Sequence, residues 1–340
     1  MKRYFMLPSP DRIAIVGGGN MGLRHGHCCR KIWPTAKVAV LSFHSGQQIF
    51  PSLESMDALL EWRPSLAIVA NAAIDHCSSA QFLLEAAIPT LIEKPLSHDI
   101  ATAQRLLSFF EKTMKAPVAM GFHLFFRRGF HQLAGWLAEG LLGKIFFIRT
   151  YLGHFLADWR PGDPKKSVSA RACLGGGILR EQCHDLALLL SLFGWPRKIF
   201  CRQRMVGTLP MDVADSAQLI LEWDNFSGEI HLDMVAVHPR RFWEIQGERG
   251  EIRWNGRADV LEFLGNGERR SFVGKKSGHP SPYEVQLKDF WEKILRWDTS
   301  SGALRQGLEV CQLLELAERS DREGRAIGPC QGEASWPRPD

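Results

Sequence analysis

No apolar run in these 340 residues approaches the roughly 20 that a membrane-spanning helix needs, so the pattern excludes a transmembrane segment. The eight cysteines, at 28, 29, 77, 173, 183, 201, 311 and 330, form no C-x-x-C pair and no zinc-like spacing with the histidines. That argues against a metal site and predicts reduced, mostly buried thiols. Long runs of one charge are also missing. The net charge of +5 comes from 42 basic and 37 acidic residues, with the basic ones scattered singly or in pairs, which leaves no tail for nucleic acid or a membrane surface. The opening MKRYFMLPSP starts basic but has neither a sustained apolar stretch nor a small-residue cleavage site, so the expected location is the cytoplasm. There is no internal repeat. What remains is ordinary globular material, 45% apolar and 23% charged, long enough for two cores.

The stretch Asp11 to Gly22, DRIAIVGGGNMG, organises the rest. Ile13, Ala14, Ile15 and Val16 form the continuous apolar run of a central parallel strand. Gly17, Gly19 and Gly22 then fit G-x-G-x-x-G, with Asn20 and Met21 opening a helix. The first glycine permits a tight turn, the second lets backbone approach a pyrophosphate, and the third allows close packing of helix on strand. The amides at the helix start then face the phosphates of a dinucleotide.

A second absence bears on which dinucleotide. Dinucleotide folds that take NAD place an acidic residue near the end of the second strand, here Lys37 to Ser42, to hold the ribose hydroxyls. No Asp or Glu occurs between Asp11 and Glu54, while Ser42, His44 and Arg24 are available near the ribose, which favours NADP over NAD. Further strands over 66–70, 90–93 and 118–120 alternate with helices, the signature of a doubly wound parallel sheet whose ligand sits at the carboxyl ends of the strands. Asn71 follows one of those ends. Ile92-Glu93-Lys94-Pro95 lies at another and is placed to face the nicotinamide. His76 is either close to the cofactor or simply a helix-start residue.

From about 121 the pattern changes to a helix over 129–141, a strand over 144–151, a glycine run at 175–177 leading into a helix, and consecutive strands over 218–223, 227–237, 242–246, 251–254 and 260–263. Strands without intervening helices imply an antiparallel sheet. Helices over 281–297 and 301–323 close the chain, and a polar Gly/Pro tail follows. The expected fold is therefore α/β. A doubly wound Rossmann domain spans 1–120, an α+β domain with a large, mainly antiparallel open sheet spans 121–325, and a loose tail spans 326–340.

Taken together, GGGNMGLRH at 17–25, EKP at 93–95 and GGGILREQCHDL at 175–186 resemble the Gfo/Idh/MocA oxidoreductases, over roughly residues 11–325. The stretch from Asp158 to Gly194 further resembles the branch acting on sugars of bacterial surface polysaccharides, including nonulosonic acid pathways. The resemblance implies an NAD(P)-dependent enzyme acting on a sugar or nucleotide sugar, assembled as a homodimer or homotetramer. It also implies that the lysine of EKP, Lys94, and the histidine after the glycine run, His184, carry catalysis, with Glu93 and Pro95 shaping the turn. Relatives with this scaffold include NAD-dependent glycoside-cleaving enzymes and non-catalytic cofactor sensors, which stand as alternatives.

Oxidising a secondary alcohol requires a base for the hydroxyl proton, and imidazole suits because its ordinary pKa lies near neutrality. A lysine ammonium beside the same oxygen stabilises developing negative charge. On this chemistry His184 is the acid/base and Lys94 the positioning partner. Many relatives carry aspartates three or four residues before and three after that histidine; this chain has Arg180 and Glu181 before and Ala187 after, which leaves Glu181 and Asp185 as stand-ins. Trp159 and Arg160, with Asp158, are candidates for substrate contact, since tryptophan offers a stacking face and arginine pairs with anions; a structural turn is the competing reading. Arg240 and Arg241 face either substrate or a subunit interface, and His123 has no assigned role.

Overall fold

A computed structural model describes residues 8–42, 49–160, 163 and 167–329. The chain divides into two compact units, Met1–Gly121 with Tyr283–Leu308, and Phe122–Pro282 with Glu309–Asp340. The expected single break near 120 therefore needs correction, because residues 283–308 return to the first unit. The reason is apolar burial: Leu287, Phe290, Trp291 and Ile294 lie in one core with Ile13, Ile15, Val38, Leu66 and Ile68.

In the first unit, β1 (Arg12–Val16), α1 (Asn20–Ile32), β2 (Lys37–Leu41), β3 (Ser52–Leu53), α2 (Met56–Trp62), β4 (Leu66–Val69), α3 (His76–Glu85), β5 (Thr90–Ile92), α4 (Ile100–Thr113) and β6 (Val118–Met120) follow in order. The strands form one sheet in the order β3-β2-β1-β4-β5-β6, parallel throughout. This is the doubly wound arrangement, with its switch point between β1 and β4. β1, β2, β4 and β5 are buried almost along their length, which explains their unbroken apolar runs. Two elements escape the sequence pattern: β3 has only two residues, and α2 is a seven-residue helix whose Ser55 cap accepts from the Ala58 amide at 3.0 Å.

The second unit contains α5 (Arg128–Ala138), β7 (Ile145–Gly153), α6 (Leu156–Trp159), α7 (Ile178–Glu181), α8 (Cys183–Phe193), β8 (Lys198–Arg204), β9 (Ser216–Glu222), β10 (Ser227–Asp233), β11 (Arg240–Gly247), β12 (Gly250–Asn255), β13 (Val260–Gly265) and β14 (Arg269–Val273). Then come α9 (Pro282–Leu295) and α10 (Gly302–Glu323), the latter containing the break between the units. The eight strands run β14-β13-β12-β11-β7-β10-β9-β8, antiparallel except for β7 beside β10. Ile148, Leu152, Ile230, Leu232, Trp243, Ile245, Ile252 and Trp254 are buried on one face. The sequence pattern misses β8 and β14 because both are edge strands, KIFCRQR and RRSFV, whose arginines and lysine break the alternation while guarding the edge. The tail is not loose from 326, since Ile327 is buried and bridges Ile199. The first seven residues, His44 of the ribose expectation, and the tail from 330 lie outside the described residues.

Candidate active site

The first unit builds its glycine turn from backbone sterics. Gly17, at φ +115°, ends β1 so close to the end of β4 that a Cβ there would lie 2.5 Å from the Ala70 carbonyl oxygen. A Cβ on Gly22 would lie 1.9 Å from the Gly17 oxygen, so α1 sits against the turn only because that position is glycine. A Cβ on Gly19 meets nothing within 4 Å. Packing thus excludes side chains at the first and third glycines, while the second faces open space. Gly19 also caps α1 without a side-chain bond, and the first turn of α1 carries no acidic residue. Helix-start amides with no anionic side chain beside them suit a pyrophosphate, so the residues present fit a dinucleotide. Asn20 is exposed, whereas the side chain of Met21 packs on the core and leaves its amide as the useful group. Ser42 follows β2 beneath the turn, its Oγ 2.5 Å from where a Gly18 Cβ would stand. Arg24 donates to the Tyr283 hydroxyl at 3.1 Å with its guanidinium over that ring. Asn71 donates to Ser79 Oγ at 2.9 Å.

After β5 the chain turns through a cis Lys94-Pro95 bond. Residues 91–97 are all buried except Lys94. The buried Glu93 carboxylate accepts from His25 Nε2 at 2.7 Å through Oε1 and from the Lys94 amide at 3.2 Å through Oε2. Burial alone would raise the Glu93 pKa, but the hydrogen bond and charge of His25 and the Lys94 ammonium hold it below the usual carboxylate range. His76 supports this turn from within the fold. It is 2% exposed, with Nδ1 2.7 Å from the Pro95 oxygen and Nε2 3.2 Å from the Asn71 oxygen. Burial lowers its pKa, which favours the neutral ring, and the shorter contact assigns the single N–H to Nδ1.

The second unit places His184 in the first turn of α8, where every residue from Cys183 to Leu190 is buried. Its ring meets the His123 ring edge to face at 4.4 Å between centroids and the Phe122 ring at 6.1 Å. His123, unassigned from sequence, therefore belongs to this group; its place after β6, in an aromatic FHLFF stretch, was the available signal. Asp185 turns to the sheet: Oδ1 accepts from Trp243 Nε1 at 2.9 Å, and Oδ2 lies 3.1 Å from Arg241 in an ion pair. Arg241 is thus tied to the His184 helix, while the neighbouring Arg240 is exposed. Arg180 pairs with Glu318. Glu181 lies 3.7 Å from Arg160, which also donates to Ser169 Oγ at 3.1 Å and lies over the Trp159 ring. Trp159 donates to the His154 oxygen at 3.3 Å and stacks on the His154 ring. Burial, with Arg257 and Arg241 adding to it, lowers the His154 pKa. Trp159, Arg160 and Glu181 are therefore assembled beside the corner that leads into α8.

Comparison with known proteins agrees with this architecture. The family described as "Oxidoreductase family, NAD-binding Rossmann fold" matches residues 12–122, and the "GFO/IDH/MocA C-terminal domain" matches 130–253. The chain is 26% identical to the myo-inositol dehydrogenase Hyg17 of Streptomyces leeuwenhoekii, covering 92% of this chain and 98% of the relative. A levoglucosan dehydrogenase solved with NADH and L-sorbose has the same fold, with a TM-score of 0.81 at 16% identity, covering 94% of this chain and 99% of that one. So does myo-inositol 2-dehydrogenase from Lactobacillus plantarum, with a TM-score of 0.78 at 15% identity over 94% and 99%. With both of its domains matched in order behind a glycine turn shaped for a dinucleotide, the chain belongs to the GFO/IDH/MocA family of NAD-binding oxidoreductases.

Proposed function

We propose that this protein interconverts a secondary hydroxyl and a ketone on a sugar or nucleotide sugar, using NADP in preference to NAD. The observation that carries the reading is Lys94, the one residue of 91–97 that is not buried, rising from a fixed turn at the carboxyl end of β5 in the sheet that bears the glycine turn. The cofactor, when bound along Gly17, Gly19, Asn20, Met21 and Gly22, supplies the two-electron acceptor or donor. Ser42, Asn71, Glu93 and Lys94 complete its contacts. His184 removes the hydroxyl proton in oxidation and returns it in reduction, a task suited to a buried imidazole held by rings. Lys94 holds the same oxygen and stabilises its developing charge. Trp159 offers the sugar a face, and Arg160 offers a charge for a phosphate or carboxylate on the substrate.

The absence of any acidic residue between Asp11 and Glu54 supports NADP, because nothing anionic in that stretch repels a 2′-phosphate. The likeness of 158–194 to enzymes of surface-polysaccharide sugars supports a substrate of that kind, and the inositol and levoglucosan enzymes named above support a cyclic polyol or sugar. The reading includes a homodimer or homotetramer formed through the outer face of the eight-stranded sheet. Tyr151, stacked between His231 and Phe242, is half-exposed there, and Ile220 is 46% exposed. The test follows nicotinamide absorbance with NADP and NAD against myo-inositol, levoglucosan, free hexoses and nucleotide sugars. The expected result is turnover on at least one, faster with NADP and abolished in H184A. Dinucleotide binding without turnover on any of them would overturn it.

A further inference from the structure

Beside the glycine turn, one buried group has no task in the reading above, His25, in the second turn of α1. Its ring is 0% exposed, and Nε2 lies 2.7 Å from Glu93 Oε1. The other Glu93 oxygen accepts the Lys94 amide, and a Cβ on Gly121 would lie 2.8 Å from the Glu93 carboxyl carbon, so the carboxylate fits beside the end of β6 only because that position is glycine. The Tyr283 and His25 rings meet edge to face at 5.8 Å between centroids. A buried carboxylate with both oxygens engaged is costly to disturb, because releasing either partner leaves charge or a donor unpaired.

We infer that His25 is a positioning residue for Lys94, which acts through Glu93 to lock the turn that carries the lysine to the same helix whose first turn receives the dinucleotide. α1 thus does two jobs. Its start presents amides to the phosphates, and one turn later it fixes the backbone from which the ammonium rises. Three contacts bracket Lys94: the buried His25 to Glu93 bond and the partly buried Glu93 to Lys94 amide bond before it, and the buried His76 to Pro95 oxygen bond after it. The lysine side chain needs freedom to reach substrate while its Cα does not, and this arrangement supplies that separation.

This inference rests on the reading of Lys94 given above, and the test keeps the two apart. Hydrogen exchange read by mass spectrometry on the protein without cofactor would compare wild type with H25A, H25Q and E93Q. The Lys94 amide, bonded to Glu93, is expected to exchange at least about tenfold faster in H25A, with a smaller rise in H25Q, whose side chain retains a donor. Peptides from β1 and β4 should keep their wild-type rates. Turnover per folded molecule should fall at least about tenfold in H25A and recover in part in H25Q. Dinucleotide affinity, followed by tryptophan fluorescence, should stay within about threefold. Unchanged exchange over 93–97 in H25A overturns the inference, as does faster exchange in β1 and β4 to the same degree, which would mark a general loss of packing. If H25A does not fold, H25Q and E93Q decide by the same criteria. K94A tests the underlying reading. An active K94A rejects Lys94 as a catalytic residue, whereas an inactive K94A beside a fully active H25A rejects only the role of His25.

Discussion

Lys94 and His184 are held by opposite means. Around Lys94 the grip is on the backbone: the Glu93 carboxylate takes the lysine amide, His76 takes the next carbonyl, and the side chain rises from an otherwise buried loop. Around His184 the grip is on the side chain, with the rings of His123 and Phe122 against it and Asp185 anchoring the helix start to Trp243 and Arg241. A backbone grip depends on a few groups with little latitude, since each buried polar atom must find its partner. A ring grip depends on shape, and shape can be rebuilt from other side chains. The grip on Lys94 is therefore rigidly specified, while the grip on His184 can be rebuilt from other side chains, as one fold hosting many substrates would require.

The largest expected effects come from removing the two groups compared. H184A should lower kcat by about 10²- to 10⁴-fold, and K94A by about 10²- to 10³-fold, with dinucleotide binding retained in both. Steady-state nicotinamide absorbance and fluorescence titration check this, and near-normal turnover in both would remove the assignments. Next, D185A strands Arg241 beside a buried site, since Asp185 is 1% exposed. The loss should be about 3 kcal/mol, measured by denaturant unfolding. A neutral result there would mean that the helix bearing His184 is held by apolar packing alone. G22A is the corresponding strike on the first unit. Its Cβ would fall 1.9 Å from the Gly17 oxygen, and the turn must shift at about 1–3 kcal/mol, with dinucleotide affinity falling more than about tenfold in fluorescence titration.

The smallest effect concerns pH. Burial depresses the His76 pKa, so the unfolded chain binds more protons than the folded one below about pH 6.5. Stability should therefore fall as pH drops from that value toward the folded pKa. Glu93, also depressed, adds a loss at lower pH, as acid approaches its own folded value. H76Q should flatten the upper part of the curve and leave the lower part, which thermal melts at stepped pH would show. A curve unchanged by H76Q would place the acid sensitivity elsewhere.

Residue types and their order were enough to read the parallel sheet, the glycine turn, and the later run of strands, because apolar periodicity and glycine sterics act over a few neighbours. They also singled out EKP and the histidine after the glycine run. They did not reveal that His25 meets Glu93, 68 residues away, or that Asp185 faces β11. Nor did they show His76 spent on the Pro95 backbone, since a histidine at a helix start looks the same whether it faces a ligand or a carbonyl.

The division of labour follows from range. The sequence by itself determined where a dinucleotide turn can form, since only glycine tolerates the contacts at 17 and 22, and which stretches become central strands. Only the tertiary structure decided what holds the two candidate catalytic groups, and that residues 283–308 return to the first unit. Partners distant in sequence are chosen by the packing of whole elements, and local pattern carries no record of that choice.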